Sequence, residues 1–126
     1  MLTERLLARE WNMRFWFKRR KEPQAVLIHL DGTSLPSEVY DECDLMTLED
    51  QISAVLEPGG LGECDGNQIG PTETILFLYG ASADAIFKAI EPILDSYPLC
   101  QNARVVLRRG GPGSPESEVR IPKSWP

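Results

Sequence analysis

Hydrophobic positions in this chain come in short runs of two periods. Residues 24–30 (QAVLIHL) are aliphatic and β-branched and end at the turn pair Asp31-Gly32, which predicts a strand. Residues 33–46 carry Pro36, Ser37 and scattered acids with no apolar period, so they predict an irregular connection. Leu48, Ile52, Val55 and Leu56 then fall at helical spacing, with Thr47 as the expected cap, Glu49 and Asp50 in the first turn, and Pro58-Gly59-Gly60 as the stop. Residues 61–69 are broken by glycine and precede 73–80 (ETILFLYG), a run of high β-propensity; the two predict a hairpin turning near Gly70-Pro71. The next helix is marked by Ser82 as cap, Asp84 in its first turn, and Ile86, Phe87, Ile90, Ile93, Leu94 and Tyr97 on one stripe. Pro92 lies inside that stripe, where it should kink the helix, and Pro98 ends it. Residues 103–108 (ARVVLR) read as another strand, and 118–121 (EVRI) leave room for an extra edge strand held short by Pro122.

The order β-α-β-β-α-β is the split βαβ, or ferredoxin-like, plan: an α+β domain whose antiparallel sheet carries two helices on one face. Such a plan leaves the other face bare, and a bare face should alternate apolar with polar. Here the strand at 73–80 is apolar on both sides, Ile75, Phe77 and Tyr79 against Leu76 and Leu78. With Val26, Ile28 and Leu30 facing the helices, alternation puts Leu27 and His29 on the open side. Leu76, Leu78 and Val106 are expected beside them, as an interface or the lining of a ligand site. A second copy of the chain, a partner, a ligand or another part of the same chain would cover that face.

The charges sharpen this picture. The chain has 126 residues and a net charge of −6, with 42% hydrophobic and 25% charged residues, which fits one folded domain and no generally basic nucleic-acid binder. No apolar run approaches membrane-spanning length. From residue 22 to 87 there is no Lys or Arg, and eleven acids stand between Asp31 and Glu73. Residues 22–126 hold six bases against seventeen acids, a net of −11. An acidic run is ordinarily a solvated surface, but one this long without counter-charge repels itself and favours capture of a basic partner. Asp41, Glu42, Asp44, Glu49 and Asp50 are the residues expected to meet it.

The leading residues are the reverse. Residues 1–21 carry seven bases and two acids, interleaved with Trp11, Phe15, Trp16 and Phe17. The chain therefore divides into a basic-aromatic extension at 1–22, one domain at 23–122 and a tail at 123–126. The extension reads as a solvated arm resting on the domain through Leu2, Leu6 and Leu7, as an element touching a membrane surface, or as a segment folded back on the open sheet face. Met13 offers a second translation start, with residues 1–12 as upstream sequence.

Candidate chemistry is sparse. Cys43, Cys64 and Cys100 are odd in number and form no CxxC pair, which predicts reduced thiols in a cytoplasmic protein rather than a disulfide framework or zinc site. Asp65-Gly66-Asn67 with Glu73 is a fragment of a calcium loop with the wrong spacing, and a hairpin turn explains it better. Gly59-Gly60-x-Gly62 follows a helix and precedes a strand, the reverse of a phosphate cradle. Gly110-Gly111-Pro112-Gly113 beside Arg108 and Arg109 reads as a plain loop. The carboxylate pairs are solvated neighbours, and His29 is a lone histidine expected at a surface or interface. No metal, cofactor or catalytic set emerges, so the expectation is a non-enzyme.

Three stretches carry a resemblance: Gly62-Glu63-Cys64-Asp65-Gly66-Asn67-Gln68-Ile69-Gly70, Leu76-Phe77-Leu78-Tyr79-Gly80-Ala81-Ser82-Ala83-Asp84-Ala85, and Arg104-Val105-Val106-Leu107-Arg108-Arg109-Gly110. Their pattern of DG-x-x-x-G, LYG-x-x-A-D-A and V-x-L-R resembles a group of small, largely uncharacterised bacterial proteins over about residues 60–112. The shared motifs are turns, a strand end and a helix cap, so the resemblance implies the fold and carries no catalytic residue over. Some acidic proteins of this size and build resemble immunity proteins that neutralise a toxin. The expected function is a non-catalytic, acidic protein-binding domain of immunity or antitoxin type. The alternative is a small regulatory or ligand-binding domain that self-associates through its sheet.

Overall fold

In the computed structural model the described residues are 23–122; the extension at 1–22 and the tail at 123–126, with the readings placed on them, lie outside this range. β1 (Gln24–Asp31) leads to a short helix α1 (Ser37–Glu42), a longer helix α2 (Leu45–Leu56), and the hairpin of β2 (Gly62–Ile69) and β3 (Glu73–Gly80). Helix α3 (Ala83–Ser96), a 3₁₀ turn at Pro98–Cys100, β4 (Arg104–Arg108) and β5 (Glu116–Arg120) complete the chain. The five strands form one sheet in the order β2-β3-β1-β4-β5, with every neighbouring pair antiparallel. The architecture is α+β, and the return at 116–120 is a true fifth strand at the edge.

Both longer helices lie on one face. Leu48, Ile52 and Leu56 of α2 and Ile86, Ile90 and Leu94 of α3 are buried against Val26, Ile28, Leu76, Leu78, Val105 and Leu107 of the sheet. Each such side chain contributes about 1.5–3 kcal/mol when taken from water. None of the described helices is long and apolar enough to cross a membrane.

Two expectations about the first crossover need correction. The segment after β1 is not wholly irregular, because Val39 is buried and draws residues 37–42 into a helical turn. The cap of α2 is Asp44 rather than Thr47: Asp44 Oδ1 accepts the Thr47 backbone N–H at 2.8 Å and its Oδ2 accepts the Thr47 hydroxyl at 3.1 Å. Leu45, half-buried against the core, begins the helix one turn earlier than the periodic stripe implied. At α3 the cap is Ser82, whose hydroxyl accepts the Ala85 N–H at 3.1 Å, and the helix continues through Pro92 to Ser96. Gln24 Oε1 satisfies another free donor of that helix end, the Ala83 N–H at 2.8 Å.

The Asp65-Gly66-Asn67 triplet is not the hairpin turn. It sits within β2 at an irregularity between Cys64 and Asn67, where Gly66 has φ 110°, and the strands turn farther on, around Gly70 to Thr72. Gly62 faces Gly80 at the open end of the hairpin, away from its turn. A methyl on Gly80 would collide with the Leu61 carbonyl and stand 2.8 Å from Ile86 Cδ1, so the close fit of β2, β3 and α3 depends on a missing side chain.

Asp31 ties the end of β1 to its surroundings. Its Oδ1 accepts the N–H of Thr33 at 2.9 Å and of Ser34 at 3.0 Å, and its Oδ2 accepts the Ser34 hydroxyl and the Asn102 side-chain amide, the latter at 2.8 Å. Asn102 stands at φ 63° and donates its own backbone N–H to Ile121 O at 3.0 Å. Burial pushes the Asp31 carboxyl upward, but the donors from Ser34, Thr33 and Asn102 together outweigh it and hold the group well below the usual range. A folded-state value below the ordinary 3.8 means that Asp31 stabilises the fold fully above that pH and ceases to do so as the pH falls beneath it. Asp31→Asn keeps one acceptor but sets an amide N–H₂ against the Asn102 donor. We expect it to lower stability by about 1–2 kcal/mol at neutral pH, the low end because solvent reaches the group. It should also flatten the acid limb of a urea-midpoint profile, and an unaltered limb would refute the assignment.

Candidate binding surfaces

The acidic segment lies along α1 and α2. Helix α1 ends in Asp41 and Glu42, both exposed, and α2 follows after Cys43 and Asp44. The five acids expected to meet a partner divide into two groups. Asp44 is occupied as the α2 cap, and the hydrogen bonds from Thr47 lower its carboxyl from the ordinary range. Glu49 is half-buried and accepts the Asn67 side-chain amide at 2.8 Å, which the irregularity in β2 brings over to α2. Asp41, Glu42 and Asp50 are left facing solvent.

The ion pairs among the described residues are His29–Glu73, Arg104–Glu118, Arg109–Asp84 and Arg120–Glu118, and none reaches α1 or α2. No described helix has a basic residue in its last turn. Asp41 and Glu42 instead stand at the C-terminal end of α1 and Glu57 caps the C-terminus of α2, where the helix dipole disfavours negative charge. Two apolar side chains of α2 are exposed: Val55, expected on the apolar stripe, is 38% exposed, and Met46 is 68% exposed, one turn from Asp50. Met46 escaped the sequence reading, and its place off the 48–52–56 stripe was the available signal.

The open side of the sheet is composed differently from expectation. β1 pairs Val26 with Leu78 and Ile28 with Leu76, so Leu76 and Leu78 face the helices and are 0% exposed. Leu27 pairs with Phe77 on one side and Val106 on the other, and Ala25 and His29 pair with Tyr79 and Ile75. The bare face therefore holds Leu27, His29 and Val106 as expected, with Ile75, Phe77 and Tyr79 in place of the two leucines. Both sets on β3 are apolar, so alternation alone left its parity open; pairing with β1 decides it.

His29 is not alone. Its Nδ1 lies 2.9 Å from Glu73 Oε1 and 3.2 Å from Arg104 Nη2. A proton on Nδ1 donates to Glu73, whereas a proton on Nε2 leaves Nδ1 to accept from Arg104. Arg104 also approaches Glu118 at 3.5 Å, and Glu118 approaches Arg120 at 3.5 Å. A polar row thus crosses β3, β1, β4 and β5. Cross-strand pairing between residues 29 and 104 is invisible until the strand order is known.

No hydroxyl or thiol is hydrogen-bonded to His29 among the described residues. The three cysteines are free; burial with the neighbouring Cys43 pushes Cys100 up to about 12, and burial also raises Cys64. These are protonated thiols at neutral pH. Among the described residues no group of three His, Cys, Asp or Glu could hold a metal ion. Arg108 turns back onto the Gly110 carbonyl at 2.9 Å, and Arg109 holds Asp84 at 2.8 Å, so both arginines beside the glycine loop already have partners. Comparison of the chain with protein-family models, curated proteins and solved structures finds no match.

The face assignment is tested by Leu78→Ala, which should cost about 2–5 kcal/mol as a core truncation. Phe77→Ala, on the open side, should cost less; the opposite order in denaturant unfolding would reverse the parity. Joint replacement Asp41→Asn and Glu42→Gln should raise stability by about 0.5–1 kcal/mol at low ionic strength, by relieving the dipole and mutual repulsion. Thermal unfolding at low and high salt checks this, because the gain must shrink as salt screens the charges.

Proposed function

We propose that this chain is a non-catalytic binding protein that meets a basic protein partner through α1 and the exposed side of α2. Asp41, Glu42 and Asp50 supply the field, and Met46 supplies an apolar anchor within it. The observation that carries this reading is the absence of any ion pair to α1 or α2 among the described residues, with acids set at the wrong ends of the helix dipoles. Charges placed against the fold's own stability are accounted for when a partner neutralises them. Complementary charge would steer such a partner and fix its register, while burial of Met46 would slow its release.

The narrower form of the reading is an immunity or antitoxin type of protein, in keeping with size, acidity and the resemblance over residues 60–112. The frame β2-β3-β1-β4 with α2 and α3 on one side suits a ferredoxin-like plan extended by β5. Free, protonated thiols go with action in the cytoplasm. The competing reading, self-association through the sheet, draws on the apolar open face; light scattering across a concentration series distinguishes it, since a partner-binding monomer keeps one mass.

The test uses the full chain, immobilised at low salt, to capture a basic protein from a lysate of its own cells, followed by titration of the purified pair. Affinity should fall steeply with salt and by about tenfold or more in the variant Asp41→Asn, Glu42→Gln, Asp50→Asn. Binding indifferent to both salt and these substitutions would sink the proposal.

A further inference from the structure

The geometry points to the apolar half of the open sheet face as the docking site of the chain's own leading segment, with the aromatic residues 11–17 as the occupant. The face is divided along β1. At the far end stands the polar row of Glu73, His29, Arg104 and Glu118, whose members already satisfy one another. At the near end lie Leu27, Phe77 and Tyr79, half-buried, around Ala25 and Val106, which are 0% and 6% exposed. Both longer helices are packed on the opposite side, so no described helix serves these residues.

Three observations select the occupant. First, the leading segment joins β1 at Pro23, beside the near, apolar end of this face and on the central strand of the sheet. Phe15 to Phe17 precede Pro23 by six to eight residues, about 20–26 Å of extended chain, enough to turn back and reach the Leu27–Phe77–Val106 group. Second, the segment carries apolar area suited to cover Phe77 and Tyr79, four large aromatic side chains at 11, 15, 16 and 17. Third, the bases at 18–21 adjoin Pro23 in sequence, at the end of the face where Glu63 and Glu116 stand opposite Tyr79 and Arg108 in the strand register; Arg108 also stands on this face, beside Ala25, and donates to the Gly110 carbonyl at 2.9 Å. A second copy would bring two bodies of strong negative charge together, which the arm avoids. Because α1 and α2 lie on the opposite side of the sheet, docking leaves the proposed partner surface free.

All three tryptophans, Trp11, Trp16 and Trp125, lie outside the described residues, so fluorescence reads the tails selectively. In the full chain carrying Trp125→Phe, the emission of Trp11 and Trp16 should be blue-shifted and shielded from acrylamide. Adding Phe77→Glu should move it to that of free indole, with the far-UV circular dichroism kept. A second variant leaves the sheet untouched: Phe15→Ser, Trp16→Ser and Phe17→Ser in the full chain should raise binding of the dye ANS severalfold by uncovering the face. Free-indole emission in the parent, emission insensitive to Phe77→Glu in a folded chain, or shielding that appears only with anionic vesicles would each overturn the proposal. So would a parent of twice the chain mass that Phe77→Glu reduces to one, which would make a second copy the occupant. None of these results bears on the acidic surface, whose test is salt-dependent capture of a basic protein.

Discussion

Because β1 is hydrogen-bonded along both edges, its two-residue alternation is imposed on the whole sheet. Val26 and Ile28 must meet the helices, and through direct pairing they carry Leu78, Leu76, Leu107 and Val105 to the same side. Leu27 and His29 take their partners to the other side by the same rule. A slip of one residue would exchange two apolar sets on β3 at little cost there, but it would bring Arg104 and Arg108 of β4 into the helix layer. The charged ends of β4 therefore lock a register that the hydrophobic pattern of β3 leaves degenerate. Asp31 and Asn102 fasten the same end through a side-chain bond of 2.8 Å.

Charge is distributed unevenly over the fold. The bases of the described residues lie on β4, β5, the loop between them and one position of α3, and the pairs they form with Asp84 and Glu118 are local. On α1 and α2 only Asp44 and Glu49 of the five nominated acids are used internally, one as a cap and one on Asn67. Of the rest, Asp41 and Glu42 raise the free energy of the folded chain by a few tenths of a kcal/mol each through dipole and repulsion. Natural proteins tolerate small penalties of this kind where a surface has another task.

Much of the fold is legible in the sequence where two independent local signals coincide. Helix α3 has a capping serine and an unbroken apolar stripe, and both are realised. For helix α2 the stripe at 48, 52, 55 and 56 points to Thr47 as the cap, but it fits a start one turn earlier equally well, and the half-buried Leu45 decides for Asp44. Helix α1 has a single buried side chain, Val39, too little to make a period. The Asp-Gly-Asn triplet carries the signature of a turn, yet the extra residue of an irregular strand needs the same backbone freedom at Gly66. At the proposed binding surface, the acids are legible from charge alone, while their sorting into structural and exposed groups requires the positions of Thr47 and Asn67. The Glu73–His29–Arg104 row joins residues 44 and 75 positions apart, a relation that only strand order creates.

That row also explains why the apolar part of the open face ends where it does. Ile75 is opposite His29, and from there to the end of β1 the neighbours are Glu73 and Arg104. Carboxylate, imidazole and guanidinium within hydrogen-bond distance of one another need a wet surface on at least one side, since burying them would add a desolvation penalty their mutual contacts barely offset. An occupant that sealed the entire face would incur that penalty, whereas one confined to Leu27, Phe77, Tyr79 and Val106 would not. Two large sheets stacked face to face would bury the row, while a short chain segment need cover only the apolar end. The position of His29 between an acid and a base thus sets the size of anything that can sit on the sheet.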